Sequence, residues 1–335
     1  MNISIMNIRP ATADEWDAIW QQCDYATYFQ SREWADIWKI YTKGKMRPEP
    51  KLVLFSDGKK ALLPLSSQKV IRKLTKQYFS SPAGTFGGWI SSDKLNKEHS
   101  NLLIGCLFNR FNNLVWRINP YNEKEFVPEA VKIGIKNEET YALDLKVGFK
   151  TIYQQWIKEK KSLVRKVKKA LREGVSIETA STLNDWQDYY QVYEESLKRW
   201  GEKASFKYEW KLFNDIYQLN SPHVNLWLAI YQEKIIAGSL CFYSKQHVVY
   251  WHGAALSQYF HVRPVNLLMC EIIKHACEGE YSWFDFNPSG GHEGVTTFKK
   301  SFGAKSLPCP IVSTQDSFTT FLRVVKSKFE QRKDF

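Results

Sequence analysis

The stretch FDFNPSGGHEGVTTFKKSFGAK, residues 284–305, brings together residue types that can do chemistry. Asp285 sits between two aromatic residues near the end of an expected strand. There it can act as a base, orient an amine, or cap the Gly-rich turn that follows. Lys299 follows fourteen residues later, beside Phe298. A fixed ammonium stabilises charge developing on an oxygen, or grips a phosphate. The alternative is a solvated surface lysine, which is the expected state of its neighbour Lys300. His252, in VVYWHGAA, titrates in the range that suits proton transfer near neutrality. It alternates with Tyr250 on one expected strand face, and a buried, hydrogen-bonded histidine is the simpler role. Arg165 and Arg199 are candidate phosphate contacts. Phe298, Tyr250 and Asn266 are candidate substrate contacts.

Several chemistries have no counterpart in the sequence. The order G-x-x-x-x-G-K-[ST] is absent, so the glycines at 290, 291 and 294 do not form a P-loop. No H-E-x-x-H occurs, and none of the six cysteines forms a C-x-x-C pair, so no metal site is expected. No Ser-His-Asp or Cys-His order supports a covalent nucleophile. The cysteines are expected to be reduced and mostly buried, as in a cytosolic protein. The N-terminal MNISIMNIRPATADEW lacks the basic and apolar regions of a signal peptide. The longest apolar runs, such as NLLIGCLF at 101–108, are too short to span a bilayer. The expected location is cytoplasmic, with peripheral contact at the inner face of the membrane as an option.

These residues need elements to hold them. Strands are expected near 224–231, 235–243 and 247–254, forming an antiparallel meander. A helix follows near 264–279, starting at Pro264 and ending at Gly279. A strand at 281–286, the Gly-rich loop and a short helix or turn over 295–302 complete the series. The loop is then the turn leaving the last central strand, and it carries Phe298 and Lys299. Upstream, residues 151–174 read as a helix with Leu163, Val164, Val167, Ala170 and Leu171 in one apolar stripe. Eight of the fifteen residues from 158 to 172 are basic, against one acid, Glu159. That face is either solvated or an anion-binding wall. Residues 316–335 form a similar basic amphipathic helix, expected to dock its apolar stripe on the protein, with a membrane surface as the alternative.

The chain has 335 residues, with 47 basic against 35 acidic, a net charge of +12. That length points to two domains. The charge attracts phosphate-bearing substrates, nucleic acid or anionic lipid, without choosing among them. An internal echo supports two similar domains. ATADEWDAIW (11–20) resembles STLNDWQDYY (181–190), and SREWADIWKIY (31–41) resembles KYEWKLFNDIY (207–217). PKLVLFSDGKKALLPLS (50–66) resembles VNLWLAIYQEKIIAGSLCFY (224–243), as strand, turn, strand. Three echoes in one order suggest a duplicated unit.

Taken together, these segments resemble Fem-type proteins of the GNAT superfamily. The basic helix matches the passage between their two domains, and SSPAGTFGGWIS (80–91) is similar to a first-domain loop with paired glycines. FDFNPSGGHEGVTTFKKSFGAK is similar to their closing motif. The likeness runs from about Phe29 to about Lys305, and the order of the motifs is more specific than any one of them. It implies an α+β fold of two tandem GNAT-like domains with mixed central sheets flanked by helices. The expected domains are 1–145, 146–315 with the active site, and 316–335 as the C-terminal helix.

The resemblance also implies transfer of an acyl group to an amine on a precursor of the cell envelope or a surface polysaccharide. Lys299 falls where the family carries a functionally important lysine, and Arg165 where Fem-like sequences often carry an arginine. The donor is acyl-CoA or aminoacyl-tRNA, and no tightly bound cofactor is expected. The acceptor is a phosphate-bearing small molecule or a lipid-linked one. tRNA is a further partner, and DNA is not expected. One other reading is a Fem-type, tRNA-dependent transferase that builds peptidoglycan bridges. Another is a non-catalytic tRNA- or membrane-associated binding protein. The acyl-CoA fingerprint Q/R-x-x-G-x-G/A is missing, since the corresponding LSQYFHVRPVNLL (256–268) has no glycine. The helical arm that some Fem proteins insert in the second domain is missing too.

Overall fold

The structure, a computed structural model, describes residues 2–70, 75–111, 113–123, 134–201 and 207–314. The expected C-terminal helix of 316–335 lies outside these residues. The chain divides into two compact units. One comprises the described residues up to Glu138 together with those from Pro308 on, and the other is Glu139–Leu307.

The first unit begins with β1 (Ile5–Pro10), α1 (Ala13–Gln22) and α2 (Arg32–Tyr41). β2 (Met46–Pro48), β3 (Lys51–Phe55), β4 (Lys60–Leu63), β5 (Ser66–Val70) and β6 (Thr75–Phe79) follow. It continues with α3 (Lys97–Arg110), β7 (Leu114–Arg117) and β8 (Gly134–Lys136). The second unit opens with β9 (Glu139–Asp144), α4 (Gly148–Glu159), α5 (Lys161–Arg172) and β10 (Ser176–Thr179). Next come α6 (Leu183–Trp200), α7 (Trp210–Leu219), β11 (Val224–Tyr231), β12 (Lys234–Tyr243) and β13 (His247–Ala255). α8 (Pro264–Glu278), β14 (Trp283–Asp285), α9 (Glu293–Ser301) and β15 (Lys305–Pro308) close it. The chain then returns to the first unit as β16 (Ile311–Ser313).

The three sequence echoes are realised as the same elements in the same order. Thr12 and Thr182 both open helices with reciprocal capping boxes, to Glu15 and Asp185. Each satisfies two amides that a helix start would otherwise leave unpaired. The second echo is α2 and α7, and the third is the hairpins β3–β4 and β11–β12. The pairing repeats as well. β1 lies antiparallel to β3, as β10 does to β11. β6 is parallel to β7, as β13 is to β14.

Among its described residues the first unit has two sheets, β1-β3-β4 and β2-β5-β6-β7-β16-β8. The larger of them, like the second unit's sheet, is finished by a strand from beyond the repeat. In the second unit β9 pairs antiparallel with β14 and lies between it and β15. In the first, β16 pairs antiparallel with both β7 and β8. Pairing therefore puts residues 139–144 in the second unit's sheet and 311–313 in the first unit's.

The second unit's sheet runs β10-β11-β12-β13-β14-β9-β15. One face packs on a core that includes Trp156, Leu163, Val167, Leu268, Ile272, Phe284 and Phe302. The other receives α6 so closely that a Cβ on Gly238 would lie 2.4 Å from the Tyr189 ring. The expected helix over 151–174 is two helices, because Lys160 (φ −120°, ψ 43°) leaves the helical region between α4 and α5. Leu163, Val164, Val167 and Ala170 of its stripe are buried, whereas Leu171 is 55% exposed. A fully buried aliphatic side chain contributes roughly 1.5–3 kcal/mol. The stripe therefore decides which face of α5 turns inward, and its basic residues follow onto the other.

Candidate functional site

β14 is short and carries Asp285 at its end, paired in register with Val249 of β13 and Ala142 of β9. Central on three strands, Asp285 is fully buried. The Thr140 hydroxyl donates to its Oδ1 at 2.5 Å, and the Asn287 backbone N–H donates to the same oxygen at 2.6 Å. Asn287 sits at φ +63°, a left-handed conformation that asparagine tolerates better than most residues. The turn continues through Gly290 (φ +58°) and Gly291 (φ +84°) into α9.

α9 returns the chain to this loop. Phe302 just beyond it is buried, Phe298 is half-buried, and their rings lie 5.1 Å apart. With that side of the helix turned inward, Lys299 is carried inside, to 2% exposure. Its Nζ donates to the Asn287 carbonyl oxygen. A single residue, Asn287, thus takes a hydrogen bond from Lys299 and gives one to Asp285. Burying a charged group is costly unless it is partnered, so the arrangement must be held by its surroundings. Two buried polar atoms of the same loop, Asn287 Oδ1 and Ser289 Oγ, have no hydrogen-bond partner among the described residues. They leave polar capacity in the loop to which Lys299 is bonded.

The other candidates lie in different surroundings. A β-bulge in β13 pairs Cys241 with Tyr250 but Leu240 with His252. Since neighbours on a strand face opposite ways, the bulge puts Tyr250 and His252 on opposite faces of the sheet. This corrects the expectation of one shared face. Tyr250 packs on the core with α8, and a Cβ on Gly253 would lie 2.0 Å from its hydroxyl. Desolvation pushes its phenol up, so it stays protonated at neutral pH.

His252 faces α6 and α7. Its ring centroid lies 4.5 Å from that of Tyr193 and 5.1 Å from that of Phe213, and a 2.7 Å hydrogen bond joins its Nδ1 to the Tyr189 hydroxyl. Burial pushes its pKa down to about 3, so it is neutral and weakly basic at pH 7.

Arg199 donates to the Ala255 carbonyl at 3.0 Å and lies 4.9 Å from the Phe260 ring centroid. It lines a cavity of about 750 Å³ that also holds Asp185, Asp188, Glu194, Glu195 and Glu233. Five carboxylates there, against Arg199 and Lys234, disfavour a phosphate. Arg165 is exposed on α5, and Asn266 is half-buried in the first turn of α8. The structure therefore brings Lys299 and Asp285 together, with Phe298 beside them on α9.

Sequence reasoning missed Thr140 and the role of Asn287. Asn287 stood within the motif, before a proline, where an asparagine signals a turn. Nothing marked Thr140, which lies 145 residues from its partner.

The segment after β13, where the sequence resemblance puts the place of the acyl-CoA fingerprint, is a 3₁₀ helix, Ser257–Val262. The amides of Tyr259, Arg263 and Asn266 bond to the carbonyls of Leu256, Phe260 and Arg263. Pro264, which has no N–H, opens α8. This is a poor cradle for a pyrophosphate, which needs backbone donors pointing outward.

Residues 158–300 match the Acetyltransf_6 family model, an acetyltransferase (GNAT) domain. No curated protein matches the chain. Among solved structures, FemX superposes with a TM-score of 0.71 at 15% identity, over 92% of this chain and 97% of its own. The C-terminal domain (DUF2156) of a putative lysylphosphatidylglycerol synthetase from Agrobacterium fabrum gives 0.57 at 11% identity, covering 93% and 94%. The L-PGS of Bacillus licheniformis gives 0.54 at 12% identity, covering 95% and 96%. The chain thus carries a GNAT domain within the tandem GNAT-like fold of FemX, α+β with mixed sheets flanked by helices.

Proposed function

We propose that this protein is an amide-forming acyltransferase whose acceptor carries an amine and a phosphate, as precursors of the cell envelope do. The observation that carries the reading is the buried Lys299 held on the Asn287 carbonyl next to Asp285. In the reaction the acceptor nitrogen attacks the donor's acyl carbon. The new C–N bond forms as the bond to the carrier's sulfur or oxygen breaks. The amine's proton is lost, and the carrier leaves as a thiol or an alcohol.

Lys299 places a fixed positive charge where the carbonyl oxygen or the departing carrier becomes negative. Charge placed in advance and away from water is worth more than the same charge in solvent. Asp285, holding Thr140 and the Asn287 amide, is a positioning residue that keeps the loop and hence Lys299 in place. Asp285 already accepts from Thr140 and the Asn287 amide, and His252 is too weakly basic, so neither is assigned the amine's proton. That proton passes to water. Phe298 shapes the substrate side of α9. Arg165 and its neighbours on α5 draw in an anionic substrate.

Two observations bear on the donor. The GNAT fold favours acyl-CoA. The closed, glycine-free 257–262 helix favours a donor without a pyrophosphate to be cradled there, and so aminoacyl-tRNA. Calorimetric titration with acetyl-CoA and a longer acyl-CoA, then with charged and deacylated tRNA, separates the two. Saturable micromolar binding, about −8 kcal/mol, of a CoA ester supports the first. Binding of charged tRNA alone supports the second. Acyl transfer to amine acceptors, measured with Lys299→Ala beside the wild type, tests the reading itself. Turnover unchanged in the variant overturns it in favour of a binding protein.

A further inference from the structure

Where α4 gives way to α5, the second unit has a notch of about 340 Å³ facing the outer side of α9. Four lysines line it, Lys160, Lys161 and Lys166 from the α4–α5 junction and Lys300 from α9, against the single carboxylate of Glu159. Some other lysines of this unit have acidic partners: Lys198 with Glu195, Lys211 with Asp215, and Lys274 with Glu271 and Glu278. Among the described residues none of the four notch lysines has one. Lys300 has only the Tyr141 ring, 5.6 Å away.

α5 also begins in the notch, with no side chain capping its first turn. Helix starts carry unpaired amides and partial positive charge, and so favour an anion. The hydroxyl-bearing residues Ser162 and Thr297 complete the lining. Four like charges around one cavity repel each other, and a multivalent anion removes that repulsion.

We infer that the notch binds a phosphate or diphosphate group of a small molecule. Its volume falls at the lower end of small-ligand sites. Its lysines converge on one concave pocket, a shape that suits a single phosphate or diphosphate group. Because α9 carries Lys300 into the notch and Lys299 to the Asn287 loop, one short helix joins this site to the proposed catalytic one. The inference deepens the acyl-transfer reading and rests on it only for which substrate brings the phosphate.

The test is calorimetric titration of the full-length protein with inorganic pyrophosphate, repeated with the double variant Lys166→Ala/Lys300→Ala. A control pair, Lys94→Ala/Lys97→Ala, removes the same charge from exposed positions of the first unit. Circular dichroism verifies that each variant is folded. The expected result is at least a tenfold loss of affinity in the notch variant, and less than twofold in the control and in Lys299→Ala. Pyrophosphate should also raise the melting temperature of the wild type and not that of the notch variant.

ADP and phosphatidate-containing vesicles form two further arms. Whichever binds more tightly, with the same loss in the notch variant, assigns the phosphate to a nucleotide or a lipid. Three results overturn the inference: no pyrophosphate binding by the wild type, equal loss in both double variants, or sensitivity to the notch variant only for a polynucleotide. None of them touches the acyl-transfer reading, which stands on turnover by Lys299→Ala.

Discussion

At the residue scale the proposal concentrates on few atoms. Lys299→Ala is expected to lower turnover about 10²–10³-fold, the usual cost of removing one group that stabilises a developing oxyanion. Steady-state kinetics would show the loss in kcat more than in KM. Thr140→Val removes the hydroxyl from Asp285 and leaves a buried carboxylate short of a donor. The expected cost is about 1–3 kcal/mol of stability, read by urea unfolding, together with reduced turnover. Asn287 acts through its backbone, so Asn287→Gly should keep most activity, since glycine adopts φ +63° without strain. Asn287→Val should lose it, because a β-branched side chain resists that conformation. Equal loss in both would mean that the side chain, with its unpartnered Oδ1, is the working group.

His252 yields a prediction of a different kind. Its folded pKa of about 3 lies below its ordinary 6.5. Between those values the unfolded chain binds a proton that the folded one refuses. The contribution is therefore full above pH 6.5 and declines as the pH falls toward 3. From pH 6.5 to 4.5 this amounts to about 2 kcal/mol, at 1.36 kcal/mol per pH unit. Urea unfolding across that window should show the slope, and His252→Gln should flatten it.

At the scale of elements, the two capping boxes are the clearest local signals. Thr12→Ala and Thr182→Ala should each cost about 1 kcal/mol, a fall in melting temperature of about 2–4 °C. Thermal denaturation of the two variants would measure it. The bulge in β13 matters more for the site. An alternating pattern places Tyr250 and His252 together, and a single extra residue in the ladder separates them. The break at Lys160 is similar in kind, because it turns one expected helix into two and creates the notch. The helix break carries no proline or glycine to announce it, and the bulge has only Gly253, next to His252, as a local sign. A bulge or a helix break made by ordinary residues is set by what packs around it.

At the scale of the whole molecule, the exchange of strands is the main finding. β9 precedes the second unit's repeat and completes its sheet, while β16 follows it and completes the first unit's. Truncation after Leu307 should therefore leave β7 and β8 without the strand between them and destabilise the first unit. Truncation after Thr314 should retain that strand. Soluble yield and near-ultraviolet circular dichroism of the two shortened chains would distinguish these outcomes.

The elements were legible in the sequence because hydrophobic period and caps act over a few residues. The helix from Pro264, the three-strand meander and the turn leading to the short helix of Lys299 could be read this way, as could the repeat of helix, helix and hairpin. So could Lys299 and Asp285 as residues of interest, since both stand in one short motif. Tertiary structure decided that Thr140 reaches Asp285, that Asn287 joins Asp285 to Lys299, and that Arg199 shares a cavity lining with five carboxylates. It also decided that Lys160, Lys161, Lys166 and Lys300 share one cavity. The reach of Thr140 to Asp285 and of Lys300 to the α4–α5 lysines depends on chain segments distant in sequence meeting in space, and local pattern holds no record of which distant partner arrives.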